Sequence, residues 1–64
     1  RINSLLPGYI DNWEQPESLV SCIPLKRLGK LGEIARTAEF LLSDASGYIT
    51  GQAILADGGV TRAI

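Results

Sequence analysis

Few side chains in this 64-residue chain are equipped for chemistry, and their spacing decides how far each one goes. Glu14 and Glu17 stand three positions apart. On a helical turn that would put both carboxylates on one side, as a general acid and base pair requires; the plainer alternative is two solvated loop carboxylates. Cys22 lies near Lys26 and Arg27, cations that favour a thiolate, yet its apolar surroundings predict a small packed side chain rather than an activated one. Tyr9 and Tyr48 each lack a lysine four residues on, so neither has the spacing of a proton donor coupled to a lysine. There is no histidine to serve a serine or cysteine nucleophile as its base. One cysteine and no histidine also leave no metal-ligand cluster. The glycine-rich patterns that cradle phosphates at a helix start are absent. No complete active site is present in the sequence, and no catalytic residue or metal ligand is assigned within it.

What remains is position. Ile2-Asn3-Ser4-Leu5-Leu6 is a short apolar run halted by Pro7-Gly8, which predicts a strand over 1–8 with its closing turn. Ligands of open α/β sheets bind at the carboxyl ends of strands, so Pro7 to Asn12 is the best site candidate on physical grounds; an ordinary strand-ending turn is the alternative. From 9 to 30 there is no sustained period, and Pro16, Pro24 and Gly29 punctuate a long connection with room for one helical turn between Pro16 and Cys22. Loops of this length are more often functional than decorative.

The elements that must hold this loop follow. Over 32–43 Ile34, Ala35, Ala38, Leu41 and Leu42 fall within an arc of about 120° at helical spacing, which predicts an amphipathic helix with one buried face. Phe40 sits opposite, beside Arg36 and Thr37, and calls for a second contact. Ser43 and Asp44 suit the capping of a following short turn. The segment 52–57, through Ala53-Ile54-Leu55-Ala56, predicts a last strand that is apolar on both faces, as in parallel sheets covered on both sides. Two strands and one helix cannot cover one another.

Composition narrows the function classes. At 6.9 kDa only about 60 % of the unfolded surface can be buried. No disulfide or metal is available to compensate, so these residues are expected to belong to something larger. The start at Arg1 rather than methionine fits the same expectation. A net charge of -1 without clusters of either sign argues against nucleic acid as a partner. No apolar run approaches the ~20 residues that cross a bilayer, so no membrane partner is expected. A lone cysteine favours the cytoplasm.

Six blocks then line up in order: Arg1 to Asn12 (RINSLLPGYIDN), Ile23 to Lys30 (IPLKRLGK), Glu33-Ile34-Ala35, Phe40 to Asp44, Tyr48 to Gln52 and Asp57-Gly58-Gly59. Together they resemble the C-terminal quarter of a short-chain dehydrogenase/reductase. The resemblance implies an α/β fold, the C-terminal part of a Rossmann-type doubly wound parallel sheet that is not a complete domain alone: the last two strands, the substrate loop and the last main helix. It implies NAD or NADP as cofactor and a small-molecule alcohol or carbonyl as substrate. It places Pro7, Gly8, Tyr9, Ile10 and Asn12 on the nicotinamide side, with the Ile10 backbone bonding the carboxamide. Asn12 stands where the family usually has threonine. Trp13, Leu19 and Val20 become the apolar contacts of a substrate loop, and the serine, tyrosine and lysine of catalysis lie N-terminal to Arg1. Leu31-Gly32 departs from a usual proline and glutamate and weakens the helix start. The implied partners are the N-terminal remainder of the enzyme and further copies in a homodimer or homotetramer. The competing reading is a non-catalytic fragment that acts as an assembly or interaction element through its apolar faces.

Overall fold

The structure, a computed structural model, describes residues 1–61. Its elements are β1 (Ser4–Pro7), α1 (Glu17–Val20), α2 (Leu31–Leu42), a 3-10 turn (Asp44–Ser46) and β2 (Ala53–Ala56). β1 and β2 pair in parallel, with Ser4 opposite Ala53, Leu5 opposite Ile54, Leu6 opposite Leu55 and Pro7 opposite Ala56. A parallel pair needs a long crossover, and the loop with α2 supplies it. Pro7 closes β1 from inside the ladder rather than from the turn beyond it. The next donor, Gly8 N–H, bonds Ala56 O at 3.0 Å and continues the pairing where proline has none to give.

α2 lies one residue earlier at each end than its periodicity places it. Its start is secured without a proline: Lys30 N–H donates to Glu33 Oε1 at 2.9 Å, so the glutamate reaches back over the first turn as in a capping box. Lysine has no acceptor, so its side chain takes no reciprocal part. The covered stripe of α2 is Ile34, Thr37, Ala38 and Leu41, all half-buried. Ala35 and Leu42, expected on the buried face, are exposed, Leu42 at 85 %. The apolar arc is wider than two strands can shield, so one margin of it faces outward. Phe40, on the other side, is 44 % exposed.

The end of α2 is fastened to the entry of β1. Ser46 is 1 % exposed; its hydroxyl lies 2.9 Å from Leu41 O and 3.1 Å from Ser43 O, and it accepts from Arg1 Nη1 at 2.9 Å. Arg1 also donates to the Ser46 carbonyl at 2.6 Å and to Ser43 O at 3.2 Å. Asn3 and Thr50 complete the junction through Asn3 Nδ2 to Ile49 O and Ile2 N to Thr50 Oγ1.

Apolar cover is thin. Among the described residues Ile23, at 3 % exposure, is the one fully buried hydrophobic side chain. The chain exposes 5058 Å², against about 4,000 Å² for a compact protein of its mass. No helix among the described residues is long and apolar enough to cross a membrane.

Candidate functional site

The carboxyl end of β1 is built by close backbone approach. A Cβ on Gly8 would stand 2.7 Å from both Cα and Cβ of Asp57, closer than side chains tolerate, so only glycine lets the turns after the two strands lie against each other. The chain then runs out along Gly29. Gly29 N–H donates to Tyr9 O at 2.9 Å, Asp11 N–H to Gly29 O at 2.8 Å, and Ile10 and Gly29 form a parallel bridge. This fixes the backbone at Tyr9 to Asp11. Among the described residues the Ile10 N–H has no acceptor.

Asn12 and Trp13 close the segment. An indole N–H only donates and a carbonyl only accepts, so one orientation of the Asn12 amide satisfies both neighbours. In it, Nδ2 donates to Ile10 O at 3.1 Å and Oδ1 accepts from Trp13 Nε1 at 3.1 Å. Trp13 itself is 72 % exposed, so this hydrogen bond rather than packing locates its ring.

The loop beyond returns to β2. α1 carries Leu19 and Val20, both half-buried, and their N–H groups bond Pro16 O at 3.0 and 3.2 Å. Ile23 then packs under the turn after β2, where a Cβ on Gly58 would lie 2.9 Å from its Cγ2. Leu25 N–H donates to Gly58 O at 3.2 Å. Between this loop, β2 and α2 runs an open groove of about 670 Å³, lined by Pro24, Leu25, Ile34, Thr37, Leu55 and Ala56 among others. Its polar rim is already committed. Arg27 and Glu33 pair there, and the Arg27 guanidinium together with Lys30 N–H holds the Glu33 carboxyl down at about 2. Asp57 accepts from Thr61 N–H at 2.9 Å and Gly59 N–H at 3.0 Å, which holds its carboxyl below the usual range.

Ile10, Asn12 and Trp13 are thus joined in one hydrogen-bonded unit, with Pro7 and Gly8 at its root and Tyr9 half-exposed beside it. Leu19 and Val20 stand apart on α1, and Glu14 and Glu17 share no hydrogen bond. Cys22 is free and exposed, its Sγ 3.3 Å from Ser18 O. The groove at the end of β2 was not legible from spacing. Its one sequence signal is the pair Arg27 and Glu33, six residues apart across the helix start.

Comparison with known proteins gives this geometry its setting. A family model described as enoyl-(acyl carrier protein) reductase matches residues 1–61. The chain is 41% identical over 70 residues to a glucose 1-dehydrogenase of Gluconobacter oxydans, covering 95% of this chain and 26% of that protein. It is 42% identical over 67 residues to a 3-oxoacyl-(acyl-carrier-protein) reductase of Thermotoga maritima, covering 94% of this chain and 27% of the relative. A crystal structure of a short chain dehydrogenase from Bacillus anthracis superposes with a TM-score of 0.87 at 33% identity, over 100% of this chain and 28% of that one. The chain spans about a quarter of the length of the relatives it matches.

Proposed function

The chain belongs to the short-chain dehydrogenase/reductase family, its parallel strands forming part of a Rossmann-type sheet, and from that premise we propose that it is the C-terminal part of an NAD(P)-dependent oxidoreductase that interconverts an alcohol and a carbonyl. The observation that carries the reading is the backbone at Ile10: among the described residues its N–H meets no acceptor, beside a carbonyl whose one donor there is a side-chain amide. A primary carboxamide offers the complementary acceptor and donor, so these residues fit the nicotinamide side of a dinucleotide. The dinucleotide supplies the hydride acceptor or donor.

In this reading Pro7, Gly8 and Tyr9 bring the backbone to the cofactor, and Ile10 and Asn12 hold its carboxamide end. Trp13, Leu19 and Val20 belong to the loop that covers the substrate and excludes water. The catalytic serine, tyrosine and lysine are contributed from outside these 64 residues, as is the choice between NAD and NADP. The exposed Leu42 and Phe40 support burial of α2 against the rest of the enzyme or a second subunit, in a homodimer or homotetramer. The free, exposed Cys22 supports a reducing compartment, the cytoplasm.

The test is Asn12→Ala in the complete enzyme. Loss of one hydrogen-bonding group should raise the dissociation constant for the dinucleotide about 3- to 10-fold. An unchanged constant and unchanged turnover would remove Asn12 from the site.

A further inference from the structure

The reading of Ile10 as the carboxamide contact is the basis of one further step. We propose that Trp13 is a positioning residue for the cofactor, acting through Asn12: its indole N–H fixes which way the Asn12 amide faces and so presents a donor of fixed direction beside the Ile10 backbone. The amide has two N–H donors and an oxygen with two lone pairs. Ile10 O takes one donor and Trp13 Nε1 takes one lone pair, each at 3.1 Å. One N–H and one lone pair remain for a ligand, and their directions are set by the two contacts already made.

The two anchors are not equivalent. Ile10 O belongs to a backbone fixed by the bridge to Gly29, whereas Trp13 is 72 % exposed and held by no surrounding core. Removing the indole donor therefore frees Oδ1 and loosens the amide while leaving the backbone in place. Trp13 is also the first residue of the loop assigned to the substrate. Cofactor affinity and the position of that loop are thereby linked through a single hydrogen bond.

The complete enzyme tests this with NADH and NADPH as probes, titrated by the fluorescence of the reduced nicotinamide. Trp13→Phe keeps an apolar aromatic ring, though a smaller one, and removes the donor; it should raise the dissociation constant of the dinucleotide that wild type binds about 3- to 10-fold. In an Asn12→Ala background the same substitution should change nothing, because the group it orients is gone. Equal affinity in Trp13→Phe and wild type, with the substrate KM raised, would make Trp13 a substrate contact alone and overturn the proposal. Fully additive effects of the two substitutions would overturn it as well. If wild type binds neither reduced dinucleotide, the cofactor reading falls first and the role of Trp13 falls with it.

Discussion

Arg27 and Glu33 meet fork to fork, Nη1 to Oε1 at 2.8 Å and Nη2 to Oε2 at 2.9 Å, and this pair ties the end of the long loop to the first turn of α2. The same Oε1 receives Lys30 N–H, so one carboxylate serves the ion pair and the helix start together. Bidentate, charge-assisted contacts of this kind are the geometrically specific ones. They replace the proline that the helix start lacks.

The pH dependence of this junction follows from the direction of the shift. Glu33 is lowered from 4.5 to about 2, first by Arg27 and then by Lys30 N–H. A carboxyl depressed in the folded state contributes stability that is present above its unfolded value and is lost as pH falls through the folded one. The stability difference between wild type and Glu33→Gln, read as denaturation midpoints of the complete enzyme, should be full at neutral pH and shrink between 4.5 and about 2. Both side chains are partly exposed, at 50% and 38%, so raising salt to about 0.5 M should also reduce it. A difference that persists undiminished into acid would place the effect of Glu33 outside its charge.

Gly8→Ala should be poorly tolerated. The new Cβ meets backbone and Cβ of Asp57 at 2.7 Å, and neither is the far end of a flexible side chain. The turns after β1 and β2 must separate, at about 1–3 kcal/mol of stability by the usual cost of overpacking. The displacement also carries Tyr9 and Ile10 with it, so dinucleotide affinity should fall. Chemical denaturation and a binding titration check the two effects separately. Gly58→Ala faces both a contact of 2.9 Å with Ile23 and a φ of 65°, and should destabilise for both reasons.

The elements were legible because each carries a local signal: the run ended by Pro7-Gly8, the period through Ile34, Ala38 and Leu41, and the apolar Ala53 to Ala56. The orientation of α2 was less so. Period alone reports which residues are apolar, and Ala35 and Leu42 belong to that set, but exposure depends on what else is present to cover them. The Asn12 contacts were hidden for a different reason. They run from Asn12 to residues two before and one after it through side-chain torsions that residue type does not fix, and the bridge of Ile10 to Gly29 that holds the backbone there spans roughly twenty residues, which no short pattern encodes. The Arg27 and Glu33 pair likewise appears only once the helix start brings them together.

Ser46→Ala should loosen the junction between α2 and β1. Its buried hydroxyl lies within reach of Leu41 O and Ser43 O and accepts from Arg1. Ser43 O keeps Arg1 Nη2 and the Ser46 N–H, so alanine costs Leu41 O the hydroxyl donor and Arg1 Nη1 an acceptor in a site that is 1 % exposed, at about 1–3 kcal/mol. Arg1 retains its bond to the Ser46 carbonyl, so the loss should be partial and the fold kept. Thermal denaturation of the complete enzyme measures it. No shift in midpoint would mean that the Arg1 contacts to backbone alone carry the junction.

Folding of the 64 residues in isolation is the sharpest test of how much they depend on other layers. Ile23 is the one fully buried hydrophobic side chain among those described, and the exposed area exceeds that of a compact protein of this mass by about a quarter. A two-stranded sheet is marginal without further strands or a helix packed on each face. Burial on this scale cannot offset the ordering entropy of the chain. The isolated segment should therefore show no cooperative heat-absorption peak in calorimetry and should lose its helical signal gradually on heating. A sharp, reversible, monomeric transition would mean that the strands and α2 close on themselves, and the proposal that they complete a larger sheet would have to be withdrawn.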